Sequence, residues 1–192
     1  MKLSTSTTIR RAVFAVGIAT IPVVAAVGGC ATTLANRDPI GEAFPSVRGQ
    51  SLEKEGIQIP AAFTGGPAIL LVGYKQSAQF DIDRWLMGLI QAEVKAQIVE
   101  IPTIPGLVPS LASSWIDDGM RSGIPREDWA SVITLYGRAA KPVAALTGTE
   151  SGQRARIVVL DPMGKVVWFD DEGYSARKAT AVSNLVAGLS DS

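Results

Sequence analysis

The chain reads as an α/β domain: a central mixed sheet flanked by helices, closed by a C-terminal β-hairpin and a final helix. Three features predict it. Ala68–Tyr74 (AILLVGY) is an unbroken apolar run bounded by Gly65-Gly66-Pro67, as expected of a strand buried on both faces. Strand-like runs then alternate with helical periodicity, which demands crossover connections. Near the end, two apolar runs flank Asp161-Pro162-Met163-Gly164, good hairpin chemistry, and an amphipathic helix follows.

Taken in order, FPSVRGQSL predicts two short extended pieces around a turn at Gly49. After the strand at Ala68, DIDRWLMGLIQAEVKA carries Ile82, Trp85, Leu86, Leu89 and Ile90 at helical spacing, and Asp81 or Asp83 can serve its first turn. Gln97–Ile101 is a second strand closed by Pro102, and the proline-rich PTIPGLVPSL is a loop or a broken helix start. A helix from about Pro109 to Arg121 stops at Gly123. Ser131–Tyr136 is a third strand, followed by a short helical stretch, Ala139–Leu146, interrupted early by Pro142. Arg156–Leu160 and Val166–Phe169 form the hairpin. Ser175 caps the last helix, whose Ala179, Val182, Leu185, Val186 and Leu189 share one face.

Composition excludes much chemistry. The 192 residues hold 18 Lys+Arg against 18 Asp+Glu, so no basic field attracts nucleic acid. Histidine is absent, which removes Ser-His-Asp and Cys-His catalysis and His-ligated zinc. A single cysteine, Cys30, rules out an internal disulfide and a CxxC pair. No cofactor and no metal is expected: the acids of FDDEGY lack the alternating spacing of an oxygen cage.

The N-terminus reads as an address. Lys2, Arg10 and Arg11 precede an uncharged stretch, Ala12–Gly29, and then Cys30. Val27-Gly28-Gly29-Cys30 resembles the lipobox of bacterial lipoprotein signal peptides, which implies cleavage before Cys30 and its modification by diacylglyceryl and acyl (palmitate-type) chains. The other reading is an uncleaved membrane anchor, for which Pro22 and the glycines are poorly suited. Residues 1–29 are thus expected as signal peptide, 30–39 as a lipidated polar tether, and 40–192 as the domain. Ala31 rather than Asp after the cysteine resembles the sorting signal for the outer rather than the inner membrane. The leader holds three of the 18 basic residues and no acid, so the remainder is net negative by three.

The element order, with GEAFPSVRGQSL, AILLVGY and IVVLDPMGKVVW, resembles the thioredoxin-like fold in its peroxiredoxin and TlpA variant, over roughly Ile40–Leu189. More narrowly, IDDGMRSGIP and RIVVLDPMGKVVWFDDEGYS resemble two redox-inactive branches, the mitochondrial ATP-synthase assembly-factor family and periplasmic proteins of the YtfJ type. In active relatives a nucleophilic cysteine opens the helix after the first core strand, where the helix dipole favours thiolate. Gln79 and Ile82 fall about where that CxxC pair belongs, and Gln153-Arg154-Ala155-Arg156 stands where the family carries its cis-proline.

Two groups of candidate binding residues follow. Tyr74, Gln76, Gln79, Asp81, Asp83 and Arg84 lie on the face that active relatives use; their bland alternative is a solvated loop, a carboxylate cap and an ion pair. Asp117, Arg121 and Trp129 form a second group suited to partner recognition, Trp and Arg being strong interface residues; the alternative is that Trp129 is core. The expectation is a redox-inactive envelope lipoprotein facing the periplasm. It is held to the membrane by lipid on Cys30 and acts by binding an unidentified envelope protein in assembly or maturation. The alternative is a small-ligand binder or non-thiol enzyme using polar residues of the former redox face.

Overall fold

The computed structural model describes residues 33–106 and 110–190; the expected signal peptide and Cys30 lie outside the described residues. Seven strands form one mixed sheet: β1 (Val47–Ser51), β2 (Gly56–Ile59), β3 (Ala68–Gly73), β4 (Gln97–Ile104), β5 (Ile133–Tyr136), β6 (Arg156–Leu160) and β7 (Val166–Asp170), in the spatial order β2-β1-β5-β4-β3-β6-β7. Among the described residues four α-helices accompany them: α1 (Gln79–Gln91), α2 (Ser110–Gly123), α3 (Ala140–Thr147) and α4 (Ala176–Ser190). The β3–β4 and β4–β5 pairs are parallel and the other four pairs antiparallel.

β3 is central, with β4 on one side and β6 on the other, and its residues 68–72 are all buried. Its alternate side chains serve two cores, which is why the run is apolar throughout. Leu70 and Val72 join Val99, Ile101, Val158 and the inner side of α3. Ile69 and Leu71 join Ile82, Trp85, Leu89, Ile157 and Val159 beneath α1 and α4. Burying each such aliphatic side chain contributes about 1.5–3 kcal/mol. Tyr136, opposite in phase to the buried Leu135, reaches Asp117 of α2, so α2 covers the same side of the sheet as α1.

Several local expectations are corrected. Gly49 is no turn: it lies in the middle of β1, opposite Ile57, and a Cβ there would come within 2.5 Å of Ile133 Cγ2. The glycine answers a close approach to β5, not a reversal of the chain. β4 continues three residues beyond Ile101. Pro102 lies opposite Gly73, where the ladder with β3 ends, and Thr103 and Ile104 pair with β5 alone. α1 ends at Gln91, earlier than its periodicity predicts. Glu93 adopts φ +52°, Glu93 N–H donates to Ile90 O (3.0 Å) and Val94 N–H to Leu89 O (3.1 Å). This is a Schellman stop with glutamate where glycine is usual, so no residue type announced it. Pro142 interrupts nothing, because it is the third residue of α3 and its missing N–H falls in the first turn. The hairpin and the Ser175 cap stand as expected. Asp161 Oδ1 accepts N–H bonds from Met163 and Lys165, both 2.9 Å, and Ser175 Oγ accepts Lys178 N–H at 3.3 Å.

The segment expected as a tether is bonded to the domain over its described part. Leu34 N–H donates to Thr149 Oγ1 (2.9 Å), and Leu34 O accepts Thr149 N–H (2.9 Å) and Glu150 N–H (3.1 Å). Farther on, Gly41 N–H bonds Val166 O and Phe44 N–H bonds Gly164 O.

Candidate functional site

The strand registers set Tyr74, Gln76, Gln79, Asp81, Asp83 and Arg84 at one end of the sheet and Arg121 and Trp129 at the other, with Asp117 buried beside Tyr136 at the end of β5. Gly73 lies opposite Pro102 and Ile104 opposite Tyr136, so the carboxyl ends of β3, β4 and β5 coincide. Tyr74, the turn Gln76–Ala78 and the start of α1 occupy that end. Ser51, at the end of antiparallel β1, pairs with Ile133, the first residue of β5. Arg121 bonds Leu52 O, and Leu52 N–H bonds Trp129 O, which fixes these residues at the other end.

At the carboxyl end the polar groups turn inward. The Tyr74 hydroxyl meets Thr147 Oγ1 at 2.7 Å, and burial pushes its pKa up to about 12. The Arg156 guanidinium lies 5.5 Å from the Tyr74 ring centre. Arg156 is fully buried; it donates to Ser151 O (3.2 Å), Arg154 O (2.9 Å), Glu150 O and Asn36 Oδ1 (2.7 Å). Burial pulls its pKa down, opposed by Tyr74 and by Asp171, which Asn36 Nδ2 bridges at 2.7 Å. A cation in that position is held by carbonyl dipoles, an aromatic face and a carboxylate one residue removed.

Asp81 is 2 % exposed and caps nothing in its own helix. Its carboxylate accepts Ala155 N–H (3.1 Å) and Tyr174 N–H (3.1 Å), with Arg84 at 3.4 Å, and so ties α1 to the approaches of β6 and α4. Gln76, Gln79, Asp83 and Arg84 are exposed. Gln79 Nε2 donates to Asp83 Oδ1 (3.0 Å) and Glu100 Oε2 (3.4 Å). Of the two positions expected to replace a CxxC pair, Gln79 begins α1 at the surface and Ile82 is buried in the core. The lone cis peptide among the described residues is Ile59–Pro60, not the approach to β6.

At the other end the side chains surround a hollow of about 320 Å³, lined by Leu52, Glu53, Lys54, Asp118, Arg121, Arg126 and Trp129. Trp129 is half-buried, neither core nor fully displayed, and its indole N–H donates to Ile124 O at 2.9 Å. The guanidinium carbons of Arg121 and Arg126 each lie 5.9 Å from its ring centre. Arg121 also pairs with Asp118 at 2.6 Å. Lys54, held at φ +71°, and Arg126 pair with no carboxylate among the described residues. Asp117 is 5 % exposed and belongs to the interior: it accepts the Tyr136 hydroxyl at 2.7 Å. Burial and that carboxylate hold the Tyr136 pKa well above its usual value.

Sequence reasoning missed Arg156, Lys54 and Arg126. For Arg156 a signal existed, a charge in phase with an apolar strand; Lys54 and Arg126 look like ordinary surface cations. Among the described residues no group of three or more acids could hold a metal ion, and no helix is long and apolar enough to cross a membrane.

No protein-family model matches the chain, and no curated protein matches it by sequence. Solved structures do match by fold. A solution structure from Bacteroides thetaiotaomicron, described as a protein disulfide isomerase, superposes with a TM-score of 0.56 at 13% identity, covering 84% of this chain and 96% of that one. The thioredoxin domain of a thiol-disulfide oxidoreductase from Bacteroides vulgatus gives 0.52 at 17%, covering 80% and 99%. An SCO1/SenC family lipoprotein from Bacillus anthracis gives 0.53 at 12%, covering 80% and 99%. At these identities the likeness is one of fold, and the chain is an α/β protein with the thioredoxin-like fold.

Proposed function

We propose that this protein is a redox-inactive, thioredoxin-like envelope lipoprotein, anchored through Cys30, that works by binding a protein partner. One observation carries the loss of redox chemistry. The first turn of α1, where this fold gathers its reactive sulfur, holds Gln79 and Ile82, and the only cysteine of the chain is Cys30. A disulfide exchange needs a thiolate at an accessible, electropositive position. The arrangement of polar groups favours binding at the Trp129 end, since the carboxyl-end groups Tyr74, Asp81 and Arg156 are spent on each other and on backbone. With Arg121 paired to Asp118, Lys54 and Arg126 outweigh Glu53 around the Trp129 hollow by one charge, so the partner's matching surface is acidic. The fold similarity of a Bacillus anthracis lipoprotein agrees with a lipid-anchored use of this scaffold.

The test combines two readouts. An unacylated soluble form that begins at Cys30 and keeps that cysteine is expected to reduce no insulin disulfides and to consume no peroxide; measurable turnover overturns redox inactivity. Affinity capture from envelope extracts with the wild-type chain is expected to retain a protein that Arg126→Glu loses. Equal retention by both moves binding away from the hollow. One observation favours a second reading, a small anionic ligand: the hollow reaches the lower end of ordinary ligand-pocket volumes, about 300–1,000 Å³.

A further inference from the structure

We propose that the docked segment 33–37 holds the carboxyl end of β3 against the lipid surface, leaving the Trp129 hollow directed away from the membrane. This rests on the lipid-anchor reading of Cys30. A free tether would let the domain take any orientation, but here the chain is fixed almost from the point of attachment. Leu34 is bonded to Thr149 and Glu150 by three hydrogen bonds of 2.9–3.1 Å. Asn36 N–H bonds the Glu150 carboxylate (3.2 Å), while its side chain accepts from Arg156 and donates to Asp171, both at 2.7 Å. Gly148, at φ +72°, leaves room for this path: a Cβ there would fall 2.3 Å from Ala35 O. Three residues lie between Cys30 and Leu34, and the four steps from one to the other span at most about 14 Å of extended chain.

The loop that receives the strap enters β6, whose first residue, Arg156, pairs with Val72 near the end of β3. The surface brought to the lipid is therefore the former redox face. It suits a headgroup layer. Lys75 and Arg154 are exposed and pair with no carboxylate among the described residues, and Lys75 packs its methylenes 3.1–3.3 Å from where a Gly152 Cβ would lie. Phe80 is 74 % exposed and Leu34 38 %. Cations beside exposed apolar groups are what anionic bilayer surfaces attract. The acids at this end, Glu150, Asp171 and Asp83, bond only neutral N–H donors of Asn36 and Gln79, so it is the strap and not net charge that carries the orientation.

The acylated full-length chain, its native cysteine blocked by lipid, accepts one engineered label site. Gln153→Cys marks the strap end and Glu53→Cys the hollow end. Each carries a fluorophore in phosphatidylethanolamine–phosphatidylglycerol vesicles that contain a headgroup-linked quencher lipid. Quenching at position 153 is expected to exceed that at 53 by about threefold or more, given the short reach and the width of the domain. Vesicle-bound protein with equal or reversed quenching overturns the orientation and leaves the anchor standing. Protein that fails to sediment with vesicles overturns the anchor and the orientation with it. Inserting a Gly-Ser spacer of about twelve residues after Ala31 is expected to keep sedimentation and abolish the difference, since it adds roughly 20 Å of flexible reach. A difference that survives the spacer overturns the strap as its cause.

Discussion

At the carboxyl end of β3, Tyr74, Asp81 and Arg156 point inward and satisfy one another or the backbone, whereas at the opposite end Lys54 and Arg126 stay at the surface around the Trp129 ring. The first end is where the resemblance to redox-active relatives sets the reactive cysteine; here its polar groups hold loops together. The second end keeps a hollow and cations without carboxylate partners among the described residues. Polar side chains placed alike in sequence thus have different consequences. A buried group removed from its partners leaves desolvated donors and acceptors behind, while an exposed one returns to water.

The comparison breaks most readily at Arg156. Arg156→Ala strips four acceptors of their donor and empties a fully buried volume, so chemical denaturation is expected to show a loss of about 3–5 kcal/mol. Arg121→Ala at the other end removes one carbonyl bond and an ion pair, and should cost about 1 kcal/mol. Equal losses would dissolve the distinction between the two ends.

Alkali sharpens it next. The folded pKa of Tyr74 is raised to about 12 from 10.0, so the protonated phenol favours the native state. That contribution is complete below pH 10 and is lost as the pH climbs from 10 through 12. Two units correspond to about 2–3 kcal/mol. Tyr74→Phe is expected to flatten the alkaline limb of the stability profile between those values; an unchanged limb would show that Tyr74 ionises freely.

Smaller effects follow. Glu93→Gly relieves a left-handed residue at the end of α1 and should stabilise the protein by up to about 1 kcal/mol, read as a rise in Tm. Gln79→Ala, which removes only exposed bonds to Asp83 and Glu100, should stay within about 0.5 kcal/mol of wild type. A larger loss would make Gln79 part of the buried network.

How much was readable beforehand varied with how local the signal was. The β3 run, the α4 stripe, the Ser175 cap and the Asp161 turn announce themselves, because each depends on neighbours within a few residues. Gly49 was misread since glycine permits a turn and permits close approach equally, and only the partner strand decides. Glu93 ends α1 without a helix-stop residue type. Asp81 looked like a first-turn cap, yet its partners are Ala155 and Tyr174, more than seventy residues away.

The sequence by itself determined the α/β class, the order of elements and the absence of sulfur from the first turn of α1, all consequences of residue type and short-range period. Only the tertiary structure decided that Arg121 and Trp129 lie at the opposite end of the sheet from Tyr74 and the start of α1, that Arg156 is buried against Tyr74, and that residues 33–37 are strapped beside it. Strand register and loop docking are fixed by packing between distant segments. The free energy of that packing depends on shapes that no local window of the chain contains.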